Sequence, residues 1–400
     1  MFEPAKAPWI RPGVVLHEPG APVEDLLGLF SIKLRTRGFR VAGLLARSVD
    51  GDTFQTRDLA SGRESLDVSR EGVEAQACQA LRGAMRDDVD LALLCPFGAF
   101  DAATRALHAA IEGNSAQGLP LLTALPAADL PRWLDQSREP GAILTPTMRA
   151  LWQWWGPERL YADLAQGVAQ DEVRQIVVGS RWLMVQGPAG TGLAHVSGSS
   201  KELIARLPSL RHRSLRQLAE LHRSWDPLEM ALAVAAINAH YNRTDSDALM
   251  GNGAEAFGHE AGRVVVVGAF PGLADAVAHP QVIESNPRPG EYPTTAMDTL
   301  LPGCAAAVVA SSTLLNRTLP RILRLARGSR VALIGPGAPL TPRLYPYGIE
   351  GVGSLIIRDP QGLATAIRAG ALPREFTRFG EYRHLLAERP AQRPSCRFRA

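Results

Sequence analysis

Two hydroxyl- and glycine-rich turns are where this chain could do chemistry. Ser311-Ser312-Thr313 follows the apolar run Ala305 to Ala310, and Gly335-Pro336-Gly337-Ala338-Pro339-Leu340-Thr341 follows Val331 to Ile334. Amides and hydroxyls at such turns bind anions without any lysine. Facing each other, the two turns would hold a tetrahedral oxyanion or a carboxylate. Taken singly, each also reads as a cap or a chain reversal. A third apolar run, Val264 to Val267, stops on Gly268, and Val282-Ile283 stops on Glu284. The interval between Gly268 and Glu284 is close to that at which a nucleotide fold places its ribose-binding acid.

Other chemistries are less well supplied. Gly268-Ala269-Phe270-Pro271-Gly272 is not GxGxxG, and Phe270 and Pro271 would keep a pyrophosphate from lying on the turn, so ordinary NAD binding is not expected. A smaller adenosine-like or pterin-like group still fits. Near the N-terminus, Glu18-Pro19-Gly20-Ala21-Pro22-Val23-Glu24-Asp25 offers no P-loop and no lysine, and its acids repel phosphate. Lysine occurs only at Lys6, Lys33 and Lys201, so after residue 201 the chain has neither a Schiff-base former nor a lysine phosphate clamp. Cys78, Cys95, Cys304 and Cys396 form no CxxC pair, which argues against zinc knuckles, iron–sulfur sites and a disulfide framework. Glu255, His259 and Glu260 have near-helical spacing but are not HExxH, and read as a linker helix. No nucleophile or acid–base pair stands out.

Elements that could position these turns follow from periodicity. In the last segment, strands Val264 to Gly268, Val282 to Glu284, Ala305 to Ala310 and Val331 to Ile334 alternate with turns, and a helix is expected over Leu314 to Leu325. In the first, Gly13 to Leu16, Phe39 to Ala46, Val89 to Cys95 and Leu119 to Ala124 read as strands, with helices over Val23 to Thr36 and Asp101 to Glu112. Such alternation predicts parallel α/β sheets. Between them, Val173 to Gly179 and Arg181 to Gln186 form a hairpin. Gly187 to Gly192 is a wide loop, and the alanine-rich helix Leu228 to His240 opens on Asp226-Pro227. Asn238, His240, Tyr241 and Asn242 cluster at that helix's end and could contact a ligand, while capping and turn-making explain Asn242 equally well. Trp152, Trp154 and Trp155 would anchor one domain on another, and they make a homodimer reasonable.

With 400 residues, two to three domains are expected. Composition is that of a globular protein, no apolar run is long enough to span a bilayer, and no secretory signal opens the chain, so cytoplasm and no membrane partner are expected. The basic stretch Arg389 to Arg399 lacks aromatic interleaving. It reads as a disordered tail, and nucleic acid is not an expected partner.

Several ordered motifs carry a resemblance. Val267 to Pro271, Glu284-Ser285-Asn286-Pro287, Ser312 to Thr318, Gly335 to Pro342 and Tyr347-Gly348 resemble the family labelled putative heavy-metal chelation domain. Val178 to Trp182, Gly190-Thr191-Gly192 and Ala235 to Asn242 resemble its usual partner, an enolase-N-terminal-like domain. Further upstream, Asp58 to Gly62, Leu93 to Gly98 and Gly118 to Ala124 resemble a nucleoside-triphosphatase-like domain of unknown function associated with molybdenum genes; the family's Asn-Lys-Phe-Gly-like stretch is Cys95-Pro96-Phe97-Gly98 here, without lysine.

The resemblance implies an α/β protein in four parts. A degenerate NTPase-like parallel-sheet domain covers 1–140, and an α+β enolase-N-like domain covers 150–245. A Rossmann-like ligand-binding domain covers 255–385, and the basic tail covers 386–400. It implies a ligand in the cleft between the second and third of these. The matching positions are Phe270, Glu284, Asn286, Thr313, Asn316, Thr318, Gly335, Gly337 and Thr341, with Ser312 beside them. For a soft metal, Cys304 and Glu284 are the plausible donors, and one thiol with one carboxylate chelates poorly. The expectation is a cytoplasmic ligand-binding protein of metal or oxyanion homeostasis, with molybdate the guess. Its alternatives are a transferase or lyase acting on a small anionic or heterocyclic metabolite, with Glu284 as ribose ligand or base, and a scaffold whose first domain recruits a partner.

Overall fold

The computed structural model describes residues 12–49, 53–86, 89–95, 119–136, 141–196, 200–210, 212–270 and 272–388. The expected helix Asp101 to Glu112, the motif residues Pro96 to Gly98, Pro271, Cys396 and the basic tail lie outside them. By its internal contacts the chain divides into two compact units, Met1–Arg159 and Leu160–Ala400.

Among the described residues, the first unit holds one sheet in the order β4-β3-β2-β5-β6-β1-β7. Its strands are β1 (Gly13–His17), β2 (Val41–Ser48), β3 (Thr53–Asp58), β4 (Glu64–Ser69), β5 (Leu91–Cys95), β6 (Leu121–Pro126) and β7 (Ala142–Leu144). The run from β2 to β7 is parallel, as expected for strands joined by crossovers. β3 and β4 add an antiparallel edge. These two carry exposed polar residues along much of their length, which hid them from an apolar-run reading. Helix α1 (Val23–Thr36) buries Leu27, Phe30 and Leu34, one helical face, and α2 (Arg70–Arg86) covers β2, β3 and β4.

The tryptophan patch belongs to this unit. Thr147 caps helix α3 (Met148–Trp155) by accepting the Ala150 amide at 3.2 Å. Trp152 meets Phe30 edge-on at 5.4 Å between ring centres, and Trp155 meets Phe39 at 5.1 Å. Both indoles are buried. Residues 150–159, expected with the middle segment, therefore pack inside the first unit.

The second unit holds two sheets among its described residues. The smaller is antiparallel, β10-β9-β8, from β8 (Gln175–Val178), β9 (Trp182–Gln186) and β10 (Thr191–His195). Helix α5 (Pro227–Tyr241), which follows the earlier α4 (Leu160–Gly167), lies on it, with Asp226 accepting the Leu228 amide at 2.8 Å as N-cap. The expected glycine loop is the β9–β10 hairpin, and its glycines make room for α5. A Cβ on Gly192 would stand 1.9 Å from the Ala235 carbonyl oxygen.

The larger sheet runs β14-β13-β12-β15-β16-β17-β18-β11. Its strands are β11 (Leu249–Met250), β12 (Val264–Val267), β13 (Gln281–Glu284), β14 (Tyr292–Pro293), β15 (Ala306–Ala310), β16 (Arg330–Ile334), β17 (Gly351–Ile357) and β18 (Gly380–Leu386). β12 to β17 are parallel, in the spatial order 3-2-1-4-5-6 of doubly wound dinucleotide-binding sheets. β18 and β11 close one edge in antiparallel fashion. One apolar core serves both sheets: Val177, Met184 and Leu193 pack with Leu355, Ile357, Leu363 and Phe376.

Candidate functional site

Strand order in the large sheet reverses between the parallel neighbours β12 and β15, the switch point where open α/β sheets bind ligands. Gly268 leaves β12 there with φ +86°, a left-handed conformation suited to glycine. A Cβ on it would stand 2.6 Å from the Ala310 side chain and 4.0 Å from the Ser312 hydroxyl. The two strand ends thus press together, with Ser312 exposed at their lip. On the other flank Glu284 ends β13. One carboxylate oxygen accepts the Ala269 amide at 2.6 Å and the other accepts the Ser285 amide at 3.2 Å. The acid at the ribose-binding position therefore already holds the turn's own backbone.

The two hydroxyl- and glycine-rich turns do come together. A Cβ on Gly335 would lie 2.5 Å from the Ser311 hydroxyl, and one on Gly337 would lie 3.4 Å from it. Much of the second turn, however, is filled by α5. Asn238 donates to the carbonyls of Gly337 and Leu193, both at 2.9 Å. Asn242 donates to the Ala338 carbonyl at 3.0 Å and accepts the Leu340 amide at 2.8 Å. Both asparagines thus brace the protein's own backbone, which neither ligand contact nor turn-making anticipates. Gly335, Gly337 and Thr341 are buried, and Thr341 caps the next turn by accepting the Arg343 amide.

The remaining predicted residues divide the same way. Thr313 is buried and returns its hydroxyl to the Ala310 carbonyl at 2.7 Å. Phe270 packs against the core beneath β12. Asn316 is exposed and accepts the Thr318 amide and hydroxyl. Asn286 is exposed beyond Glu284. The helix expected over Leu314 to Leu325 is two pieces, α6 (Ser312–Leu315) and α7 (Leu319–Leu325), because Arg317 between them is left-handed at φ +59°. Its guanidinium donates to the Ser224 carbonyl at 2.7 Å and lies over Trp225, which holds that conformation. A one-turn helix has little dipole, so the anion argument at Ser312-Thr313 rests on hydroxyls and amides alone.

Around this junction, titratable groups are buried in structural roles. Asp163 on α4 is fully buried, pairs with Arg343 at 2.5 Å and accepts the Tyr347 hydroxyl at 2.9 Å. Burial pushes the Tyr161 phenol well above its usual range, and its hydroxyl donates to the Leu314 carbonyl at 3.0 Å. Burial also depresses the His222 imidazole to about 3, helped by the charges of Arg223 and Arg317.

Residues 256–386 match the family model described as "putative heavy-metal chelation", and residues 161–241 match a second model with the same description. Together the two models take in most of the second unit. Among solved structures, a protein with unknown function from the same family in Desulfitobacterium hafniense DCB-2 is 26% identical, with 57% of this chain and 97% of that one covered at a TM-score of 0.51. Residues 13–154 match the family described as "Protein of unknown function (DUF2478)". A likeness to THEP1 of Aquifex aeolicus covers 33% of this chain and 87% of that one, at 17% identity and a TM-score of 0.28. The Molybdenum import ATP-binding protein ModC 2 of Bradyrhizobium diazoefficiens is 29% identical over 161 residues; the match takes in 36% of this chain and 18% of that relative's length.

Among the described residues, the second unit carries no soft-metal donor set at this site. Cys304 precedes β15 and contacts the Ser329 hydroxyl at 3.3 Å, whereas Glu284 ends β13, so the two lie at opposite ends of the sheet. Among the described residues, no three His, Cys, Asp or Glu side chains converge. Soft metals need clustered thiolates or imidazoles. Glu260, from the other suspected trio, pairs with Arg330. Among the described residues no helix is long and apolar enough to cross a membrane.

Proposed function

We propose that the second unit binds a small oxyanion or anionic metabolite in metal or oxyanion homeostasis, in the cytoplasm, with molybdate the first ligand to try. The shared apolar core and the two asparagines fill much of the junction between segments 161–241 and 256–386, which supports a ligand at the exposed edge by Ser312. The observation that carries this reading is the Gly268–Ser312 approach at the switch point, where an exposed hydroxyl sits beside a turn that only glycine fits. Hydroxyl and amide donors there suit an oxygen-rich anion better than a soft cation. Molybdate is singled out by the similarity to a molybdenum import protein, ModC 2.

Isothermal titration of the full chain with molybdate, tungstate, zinc and nickel tests it. Saturable heat with an oxyanion, abolished in Ser312→Ala, is the expected result. Heat only with the divalent metals, or with nothing, ends it.

One observation favours a second reading, an enzyme or sensor for a ribose-bearing or heterocyclic metabolite. Glu284 ends the second strand of a sheet with the 3-2-1-4-5-6 order, where a Rossmann-like fold places its ribose ligand. A metabolite that co-purifies with the chain and is lost in Glu284→Ala supports this reading, and equal retention in that variant removes it.

A further inference from the structure

The first unit contains a cleft of about 990 Å³ that lies away from its β1–α1 turn. Arg40 and Val41 at the start of β2, Val89 before β5, the β3–β4 turn and the second half of α2 line it. It therefore opens at the amino-terminal ends of the parallel strands, the opposite edge from the β1–α1 turn. That turn carries Glu24 and Asp25, and Asp25 is paired with Arg47.

Charge in the cleft is one-sided. Among the described residues its lining includes Arg35, Arg40, Arg63 and Arg82 but one carboxylate, Asp58. Asp58 is engaged locally, accepting the Ser61 amide at 2.7 Å and the Ser61 hydroxyl at 2.6 Å. Arg35 donates to the Leu59 carbonyl at 2.8 Å, and at the rim Asp90 accepts the Arg40 backbone amide at 2.7 Å. The guanidinium groups of Arg63 and Arg82 have no hydrogen-bond or ion-pair partner among the described residues. Phe39, Ala42 and Leu44 add apolar wall.

We infer that the first unit binds a phosphorylated small molecule in this cleft, with Arg63 and Arg82 on the phosphate. Guanidinium forks match phosphate oxygens two at a time, and the excess of cations over available carboxylates is what a dianion neutralises. A cleft of this volume, part apolar and part charged, has room for an organic body as well as the phosphate. The inference is independent of the site at Gly268 and Ser312.

Titration of the full chain with glucose 6-phosphate, inorganic pyrophosphate and neutral glucose tests it. Both phosphates should bind saturably, more weakly as ionic strength rises, while glucose gives no heat. Arg63→Gln with Arg82→Gln should weaken binding by about tenfold or more, since each charged hydrogen bond removed is worth on that order. Circular dichroism checks that the double variant folds, and the separate single Arg→Lys variants, which keep the charge, should fall between it and the parent. Ser312→Ala should bind both phosphates as the parent does. Absence of saturable binding, unchanged affinity in the folded double variant, or loss only in Ser312→Ala would each overturn the assignment.

Discussion

The side-chain oxygen of Asn242 accepts the backbone amide of Leu340 at 2.8 Å, while its amide donates to the Ala338 carbonyl and to the Ser354 hydroxyl at 2.9 Å. One fully buried side chain thus satisfies the backbone of the glycine turn from both sides. Asn242→Ala leaves the Leu340 amide and the Ala338 carbonyl buried without partners, a cost of about 2–4 kcal/mol. Asn242→Asp should fare no better at neutral pH, because a buried carboxylate would face a carbonyl oxygen. Urea unfolding measures both. A loss within about 0.5 kcal/mol, the range of a neutral surface change, would contradict the bracing role.

Gly192→Ala is expected to destabilise more than its size implies. The added carbon would meet the Ala235 carbonyl at 1.9 Å and the Ala239 amide nitrogen at 2.3 Å, and helix backbone cannot swing aside as a side chain does. Separating α5 from β10 should cost about 3 kcal/mol or more. A melting temperature equal to the parent's would show that the helix is not held so closely.

Asp163→Ala removes a buried carboxylate partner of Arg343 and Tyr347 within the junction. Breaking a buried ion pair on one side costs about 3–5 kcal/mol, because the remaining charge stays uncompensated. Asp163→Asn, which keeps an acceptor for Tyr347, should lose less. The order of the two variants in chemical denaturation is the test, and the reverse order would refute it.

Acid should weaken the fold through His222. Burial first, and then the charges of Arg223 and Arg317, hold its folded pKa at about 3, against about 6.5 in the unfolded chain. Between those values the unfolded state binds the extra proton. Stability therefore rises with pH from about 3 to about 6.5, by at most about 1.4 kcal/mol per unit, and levels off above. His195 and His240, also lowered chiefly by burial, act in the same direction. His222→Gln should flatten much of the slope, and an unchanged slope would assign the acid sensitivity elsewhere.

The parallel strands were legible because they are short β-branched or aliphatic runs that stop on turn residues. Val264–Val267, Ala306–Ala310 and Arg330–Ile334 fall within a residue or so of where the runs begin and end. The start of α5 was equally plain from Asp226-Pro227. Strands β3 and β4 were not legible, since their exposed residues carry no apolar period. Neither was the break at Arg317, because its left-handed backbone is held by carbonyls of His222 and Ser224, more than ninety residues away in the chain.

For the site, local composition determined which turns carry hydroxyls and glycines, and that they follow neighbouring parallel strands. It could not determine which of those groups face solvent. That was decided by α5, whose Asn238 and Asn242 cross to the Gly335–Leu340 turn and leave Ser312 at the rim. Strand propensity and turn chemistry are properties of adjacent residues, and a sequence displays them directly. Burial of a backbone group depends on which distant side chain packs onto it, and only the folded chain supplies that partner.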